Sequence, residues 1–354
     1  MRSEGVLTGF SGGRILFLCP DVMHPTGGVT KIYEFASALK SQGFNTTIVH
    51  RDPGYTPSWF MSDVPVVSIA GTVVDPCDLL VVPEFMGGLI PKLKGCAKAV
   101  LYQNSFNLAD DHFSDEHVVS LIVVSDYIQR YASFAHSGVR SLRIRMGYDK
   151  SSFYLDSSKK KKQIAYMPRR RTDDSRRILQ ALERRGSLKG WSVVAMDGLN
   201  ASEVANLLRE SAIFLSFSQR EGFGLPPLEA MACGCLVVGF HGHGGAEFFD
   251  PSYCYPIPED DICFFQETLE GLLLNPKIEA ICKDKGNAAA SAVSQKYTIQ
   301  VQNNDVIKAF ISCMDLAKDV EGLKPVELRT IEFEPSRFRA SVRHLKKAFV
   351  SLLR

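Results

Sequence analysis

The chain has no C-x-x-C pair, no apolar run of membrane-spanning length, no large excess of one charge, no repeat of solenoid period and no low-complexity tract. Each absence excludes something. Without C-x-x-C, and with an odd count of nine cysteines, most of them in apolar runs, the thiols read as buried and free in a reducing compartment. A disulfide framework or metal set fits less well. Cys233 and Cys235 straddle a predicted helix end and do not match zinc-ligand spacing. Met1 to Gly13 is polar and Gly-rich, unlike a signal peptide, and no segment is long and apolar enough to span a bilayer. The expectation is a cytoplasmic protein, or one peripheral on the cytosolic membrane face. Forty-one basic against 39 acidic residues leave a net charge of +2, which offers no argument for nucleic acid as a partner. The first glycine loop, Thr26-Gly27-Gly28-Val29, lacks the tight G-x-G-x-x-G turn that a nucleotide-dependent oxidoreductase or epimerase needs.

What is present is ordinary globular composition, 45% hydrophobic over 354 residues, a length that suggests two domains. Arg14 to Cys19 is a short apolar run and reads as a buried first strand. A loop with Gly27 and Gly28 follows, then a helix from Val29 to Gln42, ended by Gly43, then a strand from Asn45 to His50. Further strands are expected at 66–69, 78–82, 99–102 and 121–124, with a Ser125-capped helix from Tyr127 to His136. Asp156 to Lys162 is polar and charged and reads as the linker. The pattern then restarts with a strand at 163–167, a helix at 174–185, a strand at 191–195 and a helix at 201–210, for which Ser202 is the candidate cap. Strands alternating with helices argue two doubly wound parallel sheets facing a cleft.

The most informative run is Glu221-Gly-Phe-Gly-Leu-Pro-Pro-Leu-Glu229-Ala-Met-Ala-Cys-Gly234. Apolar segments flank it at 212–217 and 236–240, so it reads as strand, loop, helix, strand. Such a unit sets a helix N-terminus, with free N–H groups and a positive end, at the carboxyl edge of the sheet, where an anion such as phosphate binds. Two glutamates there make sense if they accept hydrogen bonds from neutral hydroxyls, as on a sugar or ribose. A sugar nucleotide follows as the expected ligand.

With small departures, the pattern from Phe217 through Gly244-Gly245-Ala-Glu247 resembles the retaining glycosyltransferases of family 4, which have the GT-B fold. The paired glutamates look like that family's E-x7-E motif. Gly27-Gly28-Val29, Val123-Val-Ser125 and Met146-Gly-Tyr-Asp149 with Phe153 resemble its other segments. The resemblance implies a retaining, metal-independent transfer from a nucleotide-diphosphate-sugar to a glycan or lipid-linked acceptor in cell-surface polysaccharide or glycolipid synthesis, with no cofactor. It implies that Glu229 bonds the ribose and Glu221 the donor sugar, and that Gly222 and the amides of Phe223, Gly224 and Leu225 face the donor. Gly27 and Gly28 would admit phosphate. The leaving diphosphate needs positive charge. The family's Gly-Arg and later Lys are here Pro168-Arg169 with no Lys. Arg169 takes the Arg place, and Arg170, Arg171 and Arg176 compete for the Lys role. The family's first-domain His is replaced by Gln103-Asn104, and Asn104 or Gln103 would bond sugar or acceptor. His112 and His24 are nearby and read as structural or solvent-facing, and of His241 and His243, which flank the Gly-rich segment after the last motif strand, one lies near the donor or both are loop residues. No Asp-x-Asp occurs, which argues against the divalent-metal donor site of the other large glycosyltransferase fold.

The expected domains are 1–155, acceptor side; 156–300, nucleotide-sugar side; 301–334, a helix returning to the first domain; and 335–354, a basic amphipathic tail. Phe338, Val342, Leu345, Phe349 and Leu352 share one helical face there, and the polar faces are basic. This suits an anionic membrane surface as well as the protein's own core. The other functional reading is a catalytically inactive GT-B-like protein that binds a nucleotide or a partner.

Overall fold

The computed structural model describes residues 12–23, 26–106 and 115–330. The amphipathic tail, His24 and His112 lie outside them. In the first half, β1 (Ile15–Leu18), α1 (Gly27–Ser41), β2 (Thr46–His50), β3 (Val66–Ser68), β4 (Val73–Val74), β5 (Leu79–Pro83), β6 (Ala97–Tyr102), β7 (Val118–Val123), α2 (Asp126–Ala135) and β8 (Ser141–Arg143) follow in order. Seven of the strands form a parallel sheet in the order β3-β2-β1-β5-β6-β7-β8. β1, β2, β5 and β6 are buried at every residue, as strands covered on both faces must be.

The second half contains β9 (Lys161–Tyr166), α3 (Thr172–Arg184), β10 (Ser192–Ala195), α4 (Ala201–Glu210), β11 (Ser211–Glu221), α5 (Leu225–Ala232), β12 (Leu236–His243), β13 (Tyr255–Pro256), α6 (Ile262–Leu273), α7 (Ile278–Lys296), α8 (Ile299–Ala317) and β14 (Val326–Glu327). Its sheet is parallel, in the order β10-β9-β11-β12-β13. β14 pairs antiparallel with β4. These are the two Rossmann-like sheets of a GT-B fold.

The chain crosses between the sheets near Gly147-Tyr148 and returns near Tyr297-Thr298. The crossings touch: the Tyr148 amide donates to the Tyr297 carbonyl at 3.1 Å. A Cβ on Gly147 would lie 2.5 Å from the Thr298 backbone, so only glycine fits there. α8 lies on the first sheet, with Phe310 5.3 Å from Phe17, ring to ring, and Cys313 3.0 Å from Ser120.

Three local readings change. Gly27 and Gly28 open α1 instead of forming a loop, because Thr26 caps that helix and accepts from the Val29 amide at 3.3 Å. α4 is capped by Asn200, not Ser202, in a reciprocal capping box with Glu203. β11 runs on to Glu221 through a register shift after Ser218, with Arg220 at φ 51°. Glu221 therefore ends a strand. Seven of the nine cysteines are buried; Cys77 and Cys263 are exposed. Among the described residues, no helix is long and apolar enough to cross a membrane.

Candidate functional site

Two helix N-termini, one from each half, converge. Gly27 begins α1 and Leu225 begins α5, and a Cβ on Gly27 would lie 4.0 Å from the Leu225 side chain. The N-cap of α5 is Gly224 at φ 93°, ψ 66°, with no side-chain cap. That conformation favours glycine and leaves the N-terminal amides unclaimed by a side chain. Pro226 and Pro227 have no N–H, so the donors at this end are those of residues 223–225. Free amides at the positive end of a helix form a site for an anion.

The loop 221–224 is also wedged between the halves. A Cβ on Gly222 would lie 1.7 Å from the Gln103 carbonyl oxygen, which sits at the end of β6 in the first sheet. The Gln103 side chain donates to the Gly28 carbonyl at 3.2 Å, and Asn104 Nδ2 to the Arg220 carbonyl at 3.5 Å. Gln103-Asn104 thus touches both glycine segments. Beneath it, the buried Glu84 accepts from the Gln103 amide at 3.1 Å. Burial pushes its carboxyl up to about 8, partly offset by backbone amides.

Glu229 lies on α5 and is half-buried. Desolvation pushes its carboxyl up to about 7; Lys31 offsets part of this and Glu34 adds to it. Lys31 is a buried amine on α1. It donates to Glu34 at 2.7 Å, to the Gly147 carbonyl at 2.7 Å and to Gln302 at 2.9 Å. Gln302 in turn donates to Glu34 and accepts from the Gly147 amide, both at 2.9 Å. One network therefore joins α1, both crossings and the neighbourhood of Glu229.

The arginine run divides cleanly. Arg169 is exposed and unpaired among the described residues. Arg170 Nε lies 3.0 Å from Glu221 Oε1. Arg171 is buried and fully engaged: it bonds the Ser218 carbonyl, Asp174, Glu259 and Asp260, and its guanidinium lies 4.4 Å from the Phe240 ring centre. Arg176 pairs with Asp173 on the exposed face of α3. Arg171 and Arg176 are thus committed elsewhere, while Arg170 stays beside Glu221 and Arg169 is exposed.

At the end of β12, the His243 amide donates to His241 Nδ1 at 2.9 Å. Glu259 Oε1 lies 3.3 Å from the same nitrogen. Burial holds the His241 pKa below its ordinary value, opposed by Glu259 and reinforced by His243. Among the described residues, no group of three His, Cys, Asp or Glu is placed to hold a metal ion.

Sequence reasoning missed Glu84, Lys31, Gln302 and Arg143. A carboxylate directly after the apolar run Leu79–Pro83 was a readable signal for Glu84. A Lys one turn before Phe35, on the apolar side of α1, was one for Lys31. Nothing local marked Gln302 or Arg143.

Residues 192–288 match the family described as glycosyl transferases group 1. An alpha-1,6-glucosyltransferase of Actinobacillus pleuropneumoniae serotype 7 is 29% identical over an alignment covering 57% of this chain and 67% of that one. Among solved structures, a sucrose-phosphate synthase from Thermosynechococcus elongatus superposes with a TM-score of 0.64 at 13% identity, covering 86% of this chain and 99% of that one. HepE of Anabaena in complex with UDP and glucose gives a TM-score of 0.59 at 14% identity, covering 85% and 100%.

Proposed function

We propose that this chain, a glycosyltransferase of GT-B fold, moves a sugar from a nucleoside-diphosphate donor to a glycan or lipid-linked acceptor with retention of configuration and without a divalent metal. Cell-surface polysaccharide or glycolipid synthesis is the setting this suits. The observation that carries the reading is the convergence of the α1 and α5 N-termini beside Glu221, Glu229 and Arg170. Support also comes from the Actinobacillus glucosyltransferase and from HepE, whose complex holds UDP and glucose.

On this reading the amides of Phe223, Gly224 and Leu225 hold the diphosphate, with Gly27 and Gly28 letting the backbone of α1 approach. Glu229 accepts from the ribose hydroxyls and Glu221 from a hydroxyl of the sugar. Arg169 and Arg170 stabilise charge as the bond from the anomeric carbon to phosphate oxygen breaks. The departing phosphate takes the acceptor's proton on the same face, and the acceptor oxygen bonds the anomeric carbon there. On the same reading Asn104 bonds the sugar or the acceptor. A panel of nucleoside diphosphates and their sugars, read by thermal shift, identifies the donor, since a bound ligand stabilises the fold by an amount that grows with its affinity. Glu229→Ala then weakens donor binding, and Glu221→Ala lowers turnover as well. Wild-type donor affinity and rate in both variants would sink the assignment.

A further inference from the structure

The turn that follows β12 is held by the other half of the molecule at both of its ends. At its start, the His243 ring lies 5.1 Å from Tyr127 and 5.4 Å from Phe106, ring centre to ring centre. Both partners belong to the first half, and they stack on each other at 5.6 Å. At its other end, Glu247 accepts two hydrogen bonds from Arg143, both at 2.8 Å, and one from the Asp126 amide at 2.8 Å. The Asp126 amide is the first of α2, so Glu247 also meets the positive end of that helix. The Glu247 side chain is 7% exposed and that of Arg143 16%. One nitrogen, Arg143 Nη2, donates to both carboxylate oxygens, and a charge pair at that burial is costly to break.

The middle of the same turn carries the loop 221–224. A Cβ on Gly244 would lie 2.3 Å from the Gly222 carbonyl oxygen, and one on Gly245 3.4 Å from the Phe223 carbonyl oxygen. His243 adopts φ 68°, ψ −59°, the strained γ-turn geometry that a non-glycine residue keeps only where its surroundings over-determine it. The turn is therefore clamped at both ends by one half, strained at its first residue and pressed against the loop of the other half.

We propose that Glu247 and Arg143 are positioning residues for sugar transfer: through the turn 243–248 they tie the donor loop 221–224 to the first half, so that the loop's amides are aligned only when the halves are closed. This rests on the donor-loop reading given above. Neither residue touches the donor. The coupling runs from Arg143 and α2 through Glu247 to Gly244 and Gly245, and from these to the backbone of Gly222 and Phe223.

Hydrogen exchange tests the coupling without any ligand. Arg143→Gln changes only the first half, yet peptides covering 221–225 and 243–249 in the second half should exchange about tenfold faster, because losing one partner of a buried charge pair opens its surroundings. Peptides of α3 and α6 should be unchanged. Glu247→Gln, which keeps an acceptor for the Asp126 amide, should show a smaller effect in the same peptides. Arg143→Lys, which keeps the charge, should restore most of the protection. Faster exchange confined to the β7–β8 region, or spread evenly over the chain, would overturn the proposal. In steady-state assays Arg143→Gln should lower kcat about tenfold and weaken nucleoside-diphosphate binding with it; unchanged kcat also overturns it. Failure of the wild type to bind any nucleoside diphosphate would defeat the donor reading, and the exchange pattern would still decide whether the halves are coupled here.

Discussion

Replacing Glu229 by glutamine should stabilise the protein at alkaline pH while weakening the donor. Its carboxyl is pushed from the ordinary 4.5 up to about 7, first by desolvation, with Lys31 opposing and Glu34 adding. Between those pH values the folded protein holds a proton that the unfolded chain has released. Stability therefore falls as pH rises through this window, and above it the ionised carboxylate costs up to about 3 kcal/mol. That figure is a ceiling, because Glu229 is only half-buried and water screens it. Glu229→Gln keeps the shape and removes the titration. Wild type and variant should melt alike near pH 4.5, and the variant should melt higher at pH 8, by up to about 4 °C for a chain of this length. Donor affinity of the wild type should rise with pH through the same window, since only the ionised carboxylate accepts from both ribose hydroxyls. Scanning fluorimetry at the two pH values, with a nucleotide titration at each, provides the measurement. A melting difference between wild type and variant that is the same at both pH values refutes the reasoning.

The glycines around Gln103 make a paired prediction. Gly222→Ala sets a Cβ against the Gln103 backbone carbonyl and should cost on the order of a hundredfold in transfer rate by forcing the loops apart. Gly28→Ala meets only the flexible Gln103 side chain, at 2.9 Å, so it narrows the approach to α1 without forcing the loops apart and should cost markedly less; equal losses would contradict the geometry. Lys31→Met strips Glu34 and Gln302 of their buried cation and should cost about 3–5 kcal/mol in urea denaturation. A loss within measurement error would show that the network contributes little. Among the arginines, Arg171→Gln should destabilise the fold, whereas Arg169→Gln and Arg170→Gln should change stability by no more than about 0.5 kcal/mol and weaken donor binding. The reverse pattern in melts and titrations would exchange their assigned roles.

The alternation of short buried strands with helices, and the run from Glu221 to Gly234, made the parallel sheets and the strand–loop–helix unit legible, because both are local patterns. What stayed hidden depends on contacts between distant parts of the chain. Three consecutive arginines look equivalent in sequence. Arg171 is set apart by Glu259 and Asp260, nearly ninety residues away. Lys31 meets Gln302 only because α8 returns to the first sheet. Glu247 stood inside the recognised pattern, yet its partner Arg143 and the α2 amide carried no local mark. Gly27 and Gly28 suggested a loop through composition, but Thr26 could cap a helix at once, and the cap decided.

The pair of carboxylates beside an anion site was the puzzle in the sequence, and the structure changes its terms. Glu221 does not face the α5 N-terminus unaccompanied: Arg170 lies 3.0 Å from its carboxylate. On the proposed reading, a donor brings a diphosphate that competes for Arg170 and a sugar hydroxyl that competes for Glu221. Binding therefore exchanges one exposed ion pair, weak in water, for a charge-assisted contact to phosphate and a hydroxyl bond to the carboxylate. Pro226 and Pro227 sharpen the exchange, since they confine the α5 donors to the amides of residues 223–225. The phosphate that draws Arg170 away then has one place to sit, beside the carboxylate it has just freed.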